Sequence, residues 1–305
     1  MNTLGTQEAP VISVLMTAYN REKYIAEAIE SVLRSTFTDF ELIIVDDTSK
    51  DGTVAIAKKY EEKDSRIKVF VNDTNLGDYN NRNRAASYAS GKYLKYVDSD
   101  DLIYPHSLSV MVDAMEKFPG AALGIVSMYS QEEQPYPFQL DSREAYRQQF
   151  FVEKTLLDTG PGGLIFRTEQ FRKIGGFSGK RYIGDIEINL RLAAKWPVVK
   201  IASSLIYWRR HEGQEYAIGT NSTGYLELVL PMYIEELNKP ECPLSETQRQ
   251  QVIEYYRKIS ARAVLNICLR KRQPGEASRI YRQLSLSVPD LFKAVFKMKK
   301  SLSNE

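Results

Sequence analysis

The chain has 305 residues, 43% of them hydrophobic and 26% charged, with a formal net charge of +2, which suits one large domain or one domain with an appendage. That near-balance gives no case for a nucleic-acid partner, and Cys242 and Cys268, far apart in the chain, give none for a disulfide framework or a zinc site. No run approaches the ~18 apolar residues of a membrane span, and the opening MNTLGTQEAP lacks the basic and apolar regions of a signal peptide, so a cytoplasmic location is expected.

Val11 to Met16 is a near-continuous apolar run, as in a parallel strand covered on both faces, and it ends in Thr17-Ala18-Tyr19-Asn20. Tyr24, Ile25, Ala28, Ile29, Val32 and Leu33 then recur at helical spacing. Phe40 to Val45 reads as a second strand ending in Asp46-Asp47-Thr48-Ser49, and Asp51-Gly52-Thr53 opens a helix running to about Tyr60. Ile67 to Val71 is a third strand. Arg82 to Ser90 reads as a helix with Gly91 as its C-cap. Tyr93 to Val97 is a fourth strand and runs straight into Asp98, Ser99, Asp100 and Asp101. The alternation predicts the α/β class, with a doubly wound, mainly parallel sheet holding its ligands at the C-terminal strand ends.

The middle of the chain changes character. Ala121 to Tyr129 reads as a strand and Gln131 to Pro137 as a mobile loop. Gly160-Pro161-Gly162-Gly163 excludes regular structure and permits close backbone approach. Leu164 to Phe166 is a strand, Thr168 a cap for the helix through Ile174, and Gly175-Gly176 its end. A helix from Ile186 to Ala194 follows Gly184-Asp185, and Val198 to Ile201 and Ser204 to Tyr207 read as edge strands. From about Gly219 the pattern is helical, which divides the chain into domains of 1–218 and 219–305.

Strand interiors reject three clustered carboxylates, because buried unpaired charge is expensive and like charges repel. A divalent cation resolves this, and hard oxygens without a nearby Cys or His suit Mg²⁺ or Mn²⁺. The competing reading of Asp98, Asp100 and Asp101 is an acidic surface turn with Asp101 capping the next helix. Tyr19 can stack on a planar base and a carboxylate such as Asp47 can accept from a ring N–H. A packed core aromatic and a turn cap are the plain alternatives for these two. Neither a G-x-G-x-x-G fingerprint nor a P-loop occurs, against a dinucleotide oxidoreductase or an NTPase.

The ordered set VISVLMTAYN, FELIIVDDTSKDGT, GKYLKYVDSDD and WRRHEG, spread over Val11 to Gly213, resembles the inverting family-2 glycosyltransferases of the GT-A fold. The resemblance implies a nucleotide-sugar donor, a divalent metal (Mn²⁺ or Mg²⁺) and transfer with inversion. It implies that Thr17, Tyr19 and Asp47 bind the base, that Asp100 holds the metal, and that Asp98 completes the D-x-D pair on the metal or near the ribose, with Asp101 in support. Arg82 and Arg84 fall where the family often places a cation near the nucleotide, although a solvated helix face accounts for them equally. Asp185 matches the aspartate of the family's E-D motif and is expected to be the general base, with Gly184 standing where Glu is usual. Helix N-capping is the alternative for Asp185, and Glu187 is the runner-up base. Arg209, Arg210 and His211 match a Y-R-x-H element, Trp208 replacing its Tyr, with Arg209 and His211 expected on the diphosphate.

No processive-synthase signature follows Asp185, so one sugar per encounter is expected. By resemblance the carrier is UDP, the acceptor a saccharide or lipid-linked glycan, and the setting surface-polysaccharide assembly. A nucleotidyltransferase and a catalytically idle nucleotide-sugar binding module are the rival readings. The tail from Leu291 to Lys300 alternates apolar and basic residues at helical spacing. It fits either peripheral contact with the inner face of the cell membrane or packing on the domain. Helices between Glu246 and Cys268 offer a homodimer face.

Overall fold

Four strands, β1 (Ile12–Ala18), β2 (Phe40–Asp46), β3 (Ile67–Val71) and β4 (Tyr93–Tyr96), lie parallel in the order β3-β2-β1-β4. The computed structural model describes residues 9–128, 134–153, 155–211 and 223–295. Helices α1 (Ile25–Leu33), α2 (Thr53–Glu61) and α3 (Asp78–Tyr88) connect these strands as right-sized crossovers for a parallel sheet. The apolar stripe of α1 (Ile25, Ala28, Ile29, Val32) joins Ile12, Val14 and Met16 of β1 in one buried cluster. The polar residues that follow each apolar run are thereby carried to one rim.

Past β4 the sheet becomes mixed. The elements are β5 (Leu102–Ile103), α4 (Ser107–Lys117), β6 (Leu123–Val126), β7 (Phe138–Leu140), α5 (Ser142–Arg147), β8 (Leu164–Arg167), α6 (Thr168–Lys173), α7 (Gly184–Ala193), β9 (Val198–Ile201) and β10 (Ile206–Tyr207). The eight-stranded sheet continues from β4 through β8, β6, β9 and β7. β8 runs antiparallel to both β4 and β6, β9 parallel to β6, and β7 antiparallel to β9. β9 is therefore flanked on both sides, with β7 taking the edge expected for it. β5 and β10 form a separate antiparallel pair, Ile206 opposite Ile103 and Tyr207 opposite Leu102.

Local chemistry departs from expectation at three places. Gly91 does not cap α3: a β-carbon there would stand 2.6 Å from Ser13 N, so glycine serves the close approach to β1. Thr168 does not cap α6 with its side chain; its hydroxyl donates to Gly91 O at 2.6 Å. Pro161–Gly163 forms a single 3₁₀ turn rather than an irregular loop. The α3 helix also begins four residues earlier than its apolar pattern suggests, and its first turn buries Tyr79.

Two compact units emerge, Met1–Asp141 with Thr159–Arg210, and Ser142–Asp158 with His211–Glu305. The second is built from α8 (Thr223–Leu237), α9 (Glu246–Leu269), α10 (Pro274–Gln283) and α11 (Val288–Val295). Ser245 and Gln248 close a capping box at the start of α9, each side chain satisfying the other's backbone N–H. Leu230, Ala261, Val264, Ile280, Leu284 and Ala294 share its core. Phe150, from the Ser142–Asp158 segment, packs edge-on against Tyr233 at 5.4 Å and Tyr256 at 6.4 Å. Among the described residues no helix is long and apolar enough to cross a membrane. Residues 1–8, Tyr129, residues 131–133 of the expected loop, Glu212-Gly213, Gly219 and the basic end of the tail, 296–300, lie outside the described residues.

Candidate active site

β1 lies between β2 and β4, so the polar clusters ending these three strands become neighbours. The first two loops are sewn together by short side chains. Asn20 Oδ1 accepts from Lys50 N at 2.8 Å, Asn20 N donates to Ser49 Oγ at 2.8 Å, and Glu22 Oε2 accepts from Gly52 N at 2.7 Å. Asn20 has φ of 54°, a left-handed conformation that Asn tolerates better than most residues. Tyr19 stands 47% exposed above this seam, as a stacking platform requires, and not in the core. Thr17 is half-buried at the end of β1, in register with Val45.

Asp47 is buried, and its carboxylate gathers the loop after β3. It accepts from Asn72 Nδ2 at 2.8 Å, Leu76 N at 2.8 Å and Gly77 N at 2.9 Å. Gly77 sits at φ 78°, the turn into α3 that glycine permits. A carboxylate expected at the base end thus also fixes the segment that delivers α3.

At the end of β4 the three aspartates separate into different environments. Asp98 Oδ1 pairs with Arg82 Nη2 at 2.8 Å, and Asp100 Oδ2 with Arg21 Nε at 2.8 Å. Asp101 is buried and accepts from Arg209 N at 2.9 Å; burial, with Asp98 and Asp100 beside it, pushes its carboxyl up to about 7. Asp101 therefore does not cap a helix: α4 begins only at Ser107. Asp98 and Asp100 supply hard carboxylate oxygens with neither Cys nor His in the turn, a donor set that fits Mg²⁺ or Mn²⁺.

The β5–β10 pair returns the chain to this turn. Arg209 follows β10, donates from Nε to Asp100 O at 2.9 Å and from Nη2 to Glu27 Oε2 at 2.6 Å, and lies 5.2 Å over the Tyr24 ring. Arg210 lies 5.6 Å from the Trp208 ring centre, and His211 opens the second unit. Arg209 is thus placed against the aspartate turn.

The glycine turn forms the floor. A β-carbon on Gly162 would stand 4.0 Å from Asp98 Oδ2, and one on Gly160 3.7 Å from Asp185 Oδ2. Asp98 and Asp185 therefore border the same turn from its two ends. Beneath it Lys95, fully buried in β4, donates to Gly162 O and to Tyr96 O, the latter at 2.8 Å. Burial outweighs the neighbouring Asp98 and Asp101 carboxylates and depresses the Lys95 ammonium to about 7.

Asp185 sits in the first turn of α7, one residue inside the helix, with Ile183 in the N-cap position. Its Oδ1 accepts from Ile186 N at 2.9 Å, and the Tyr79 hydroxyl lies within hydrogen-bonding reach of the carboxylate. Burial raises its carboxyl to about 6, against the opposing pull of these hydrogen bonds and of Arg82. Glu187, the alternative base, is buried and held by Lys180 Nζ at 3.0 Å and the Ser178 hydroxyl.

Arg82 ties the site together. It is buried on α3, its Nε donating to Asp78 Oδ1 at 2.9 Å and its Nη2 to Asp98, while Nη1 is buried with no hydrogen-bond partner. Arg84, two residues on, is exposed and lies 5.1 Å over the Tyr88 ring, on the solvated face. Arg21, Lys95 and Tyr79 were not anticipated from the sequence. A lysine inside an apolar run, shortly before the acidic cluster, is the signal from which Lys95 could have been found.

Residues 13–175 match the family model described as glycosyl transferase family 2, and the chain belongs to that family. Its fold is the family's α/β fold, with a helical C-terminal region. The two curated relatives named next are matched over about two fifths of their length. An uncharacterized glycosyltransferase of Methanocaldococcus jannaschii, MJ1057, is 40% identical over 115 residues, 37% of this chain and 40% of that one. The Escherichia coli UDP-Glc:alpha-D-GlcNAc-diphosphoundecaprenol beta-1,3-glucosyltransferase WfgD is 38% identical over 107 residues, 35% of this chain and 42% of that one. Among solved structures, S. aureus TarS 1-349 in complex with UDP-GlcNAc aligns with TM-score 0.66 at 20% identity, covering 90% of this chain and 81% of that one. The mannosyltransferase PcManGT of Pyrobaculum calidifontis, in complex with GDP-Man and Mn²⁺, aligns with TM-score 0.58 at 16% identity, covering 94% and 84%.

Proposed function

We propose that the protein transfers one sugar per encounter from a nucleotide-diphosphate sugar to an acceptor hydroxyl, with inversion at the anomeric carbon. The observation that carries this reading is the pair Asp98 and Asp185, which border the Gly160–Gly163 turn from its two ends. One end belongs to the leaving group and the other to the attacking hydroxyl. Asp185 takes the acceptor's proton as the acceptor oxygen bonds to the anomeric carbon, while the bond to the diphosphate breaks and its electron pair leaves with the diphosphate. A base poised near 6 is ionised at neutral pH yet retains proton affinity.

Asp100 and Asp98 would hold Mn²⁺ or Mg²⁺, which as a Lewis acid supplies charge neutralisation for the diphosphate. Thr17, Tyr19 and Asp47 serve the base end. Arg82, whose Nη2 meets Asp98, keeps a buried Nη1 donor with no hydrogen-bond partner, which a phosphate or sugar oxygen would satisfy. Arg209 completes the diphosphate side. UDP is the favoured carrier because the TarS structure is a complex with UDP-GlcNAc and WfgD is named as using UDP-Glc. A lipid-linked acceptor is supported by the name of WfgD, which acts on alpha-D-GlcNAc-diphosphoundecaprenol; a saccharide acceptor and a place in surface-polysaccharide assembly rest on the family resemblance.

Contact with an anionic membrane is part of the proposal. Val288, Phe292 and Val295 of α11 are 72%, 68% and 73% exposed along one helical stripe, and Lys297, Lys299 and Lys300 follow in sequence. Flotation with phosphatidylglycerol vesicles, lost in Phe292→Glu, is the expected result. The transfer itself is tested by screening nucleotide sugars for stabilisation with and without Mn²⁺. Stabilisation by a free nucleoside triphosphate alone would favour a nucleotidyltransferase.

A further inference from the structure

Gly184 departs from the glutamate usual before the family's aspartate, and the reason lies on α3. A β-carbon at Gly184 would stand 2.8 Å from both Cδ2 and Cε2 of the Tyr79 ring. That ring cannot readily yield: Tyr79 is buried, and its ring centre lies 5.1 Å from that of Phe177. At its far end the Tyr79 hydroxyl comes within hydrogen-bonding reach of the Asp185 carboxylate and of the Asp185 backbone N–H.

We propose that Tyr79 is the positioning residue of Asp185, occupying the volume of the missing side chain at 184 and holding the carboxylate through its hydroxyl; this rests on Asp185 being the general base. A carboxylate held at one oxygen by Ile186 N still swings about that bond. A second donor on a packed ring fixes its aim toward the Gly160 end of the turn. The same helix carries Arg82, whose Nη2 meets Asp98. One rigid element therefore sets both the base and the D-x-D end, and the family's first carboxylate is replaced by a neutral group. Tyr79 and Arg82, both from α3, are ionisable groups that act on Asp185 and hold its carboxyl down. Hydrogen bonding to the ionised form opposes the effect of burial.

The test is Tyr79→Phe, which keeps the ring and its packing and removes only the hydroxyl. In protein labelled with ¹³C at the aspartate carboxyls, Asp185→Asn assigns the Asp185 resonance. Tyr79→Phe should move its titration midpoint upward by about one pH unit. Release of UDP from UDP-glucose or UDP-N-acetylglucosamine with Mn²⁺, water taking the glycosyl group, should fall about tenfold in kcat, with the donor KM within about twofold. Gly184→Ala should be far better tolerated beside Tyr79→Ala than alone, the coupling expected of touching groups. An unchanged Asp185 midpoint in Tyr79→Phe overturns the proposal, whichever donor is used. If Asp185→Asn is inactive and Tyr79→Phe behaves as wild type, only the role of Tyr79 falls; if Asp185→Asn keeps turnover, the base assignment falls first.

Discussion

The ammonium of Lys95 and the carbonyl of Gly162 meet in the interior of the sheet, and this contact sets the height of the turn between Asp98 and Asp185. A fully buried lysine is a rarity that needs partners, and here both are backbone oxygens. Lys95→Met keeps the apolar stem and removes both donors, leaving Gly162 O and Tyr96 O short of one each. Unpaired buried acceptors cost ~1–3 kcal/mol apiece, so the urea midpoint should drop. Turnover should fall about tenfold or more through displacement of the turn, while UDP affinity changes less. Steady-state kinetics beside isothermal titration with UDP would separate the two.

Asp185→Asn should abolish transfer, by ~10²–10⁴-fold for a lost general base, and leave UDP affinity within about twofold. It should also stabilise the protein at neutral pH. The folded carboxyl, raised by burial from the ordinary 3.8 to about 6, binds its proton more tightly than the unfolded one. Its contribution to stability is therefore full below the ordinary value and lost as pH rises through 6. Asn escapes that loss, a gain of about 2 kcal/mol after allowance for its partial exposure. Urea denaturation at pH 8 should show the gain, and at pH 4 it should vanish.

The pH dependence of turnover carries the same sign. With Asp185 required as the carboxylate, kcat/KM should fall with an acid limb near pH 6, tenfold for each further pH unit. A limb near 4 would mean that the essential base is an ordinary exposed carboxylate.

Asp47→Ala should release the segment from Asn72 to Gly77, since three donors converge on that one carboxylate. Hydrogen bonds to charged groups contribute ~1.5–3 kcal/mol each, without simple additivity, so about 3 kcal/mol of stability should be lost. Nucleotide affinity should fall with it. The measurement is a denaturation midpoint alongside UDP titration.

Much of the polar rim was legible in the sequence because strands buried on both faces are continuous apolar runs, and whatever ends them must lie at one edge. β1, β2 and β4 announce themselves this way, and their terminal Tyr19, Asp47 and Asp98 come together through the order β2-β1-β4. Strand direction is not written in a four-residue run, so the reversal at β8 was not legible. The two-residue strands β5 and β10, which return Arg209 to Asp100, are too short to carry a period. Tyr79 was hidden because the first turn of α3, Asp78-Tyr79-Asn80-Asn81, has no apolar repeat; its burial comes from α7 and Phe177. The packing of Phe150 with Tyr233 and Tyr256 joins segments far apart in the chain, which local pattern does not reveal.

The most direct test of the central claim is titration of UDP, with Mn²⁺ and then with EDTA, into wild type, Asp100→Asn and Asp185→Asn, beside UDP release from a UDP-sugar. Binding should require Mn²⁺ and Asp100, and Asp185→Asn should bind UDP as wild type does while releasing none. Equal UDP affinity in EDTA and in Asp100→Asn, or undiminished release by Asp185→Asn, would contradict it.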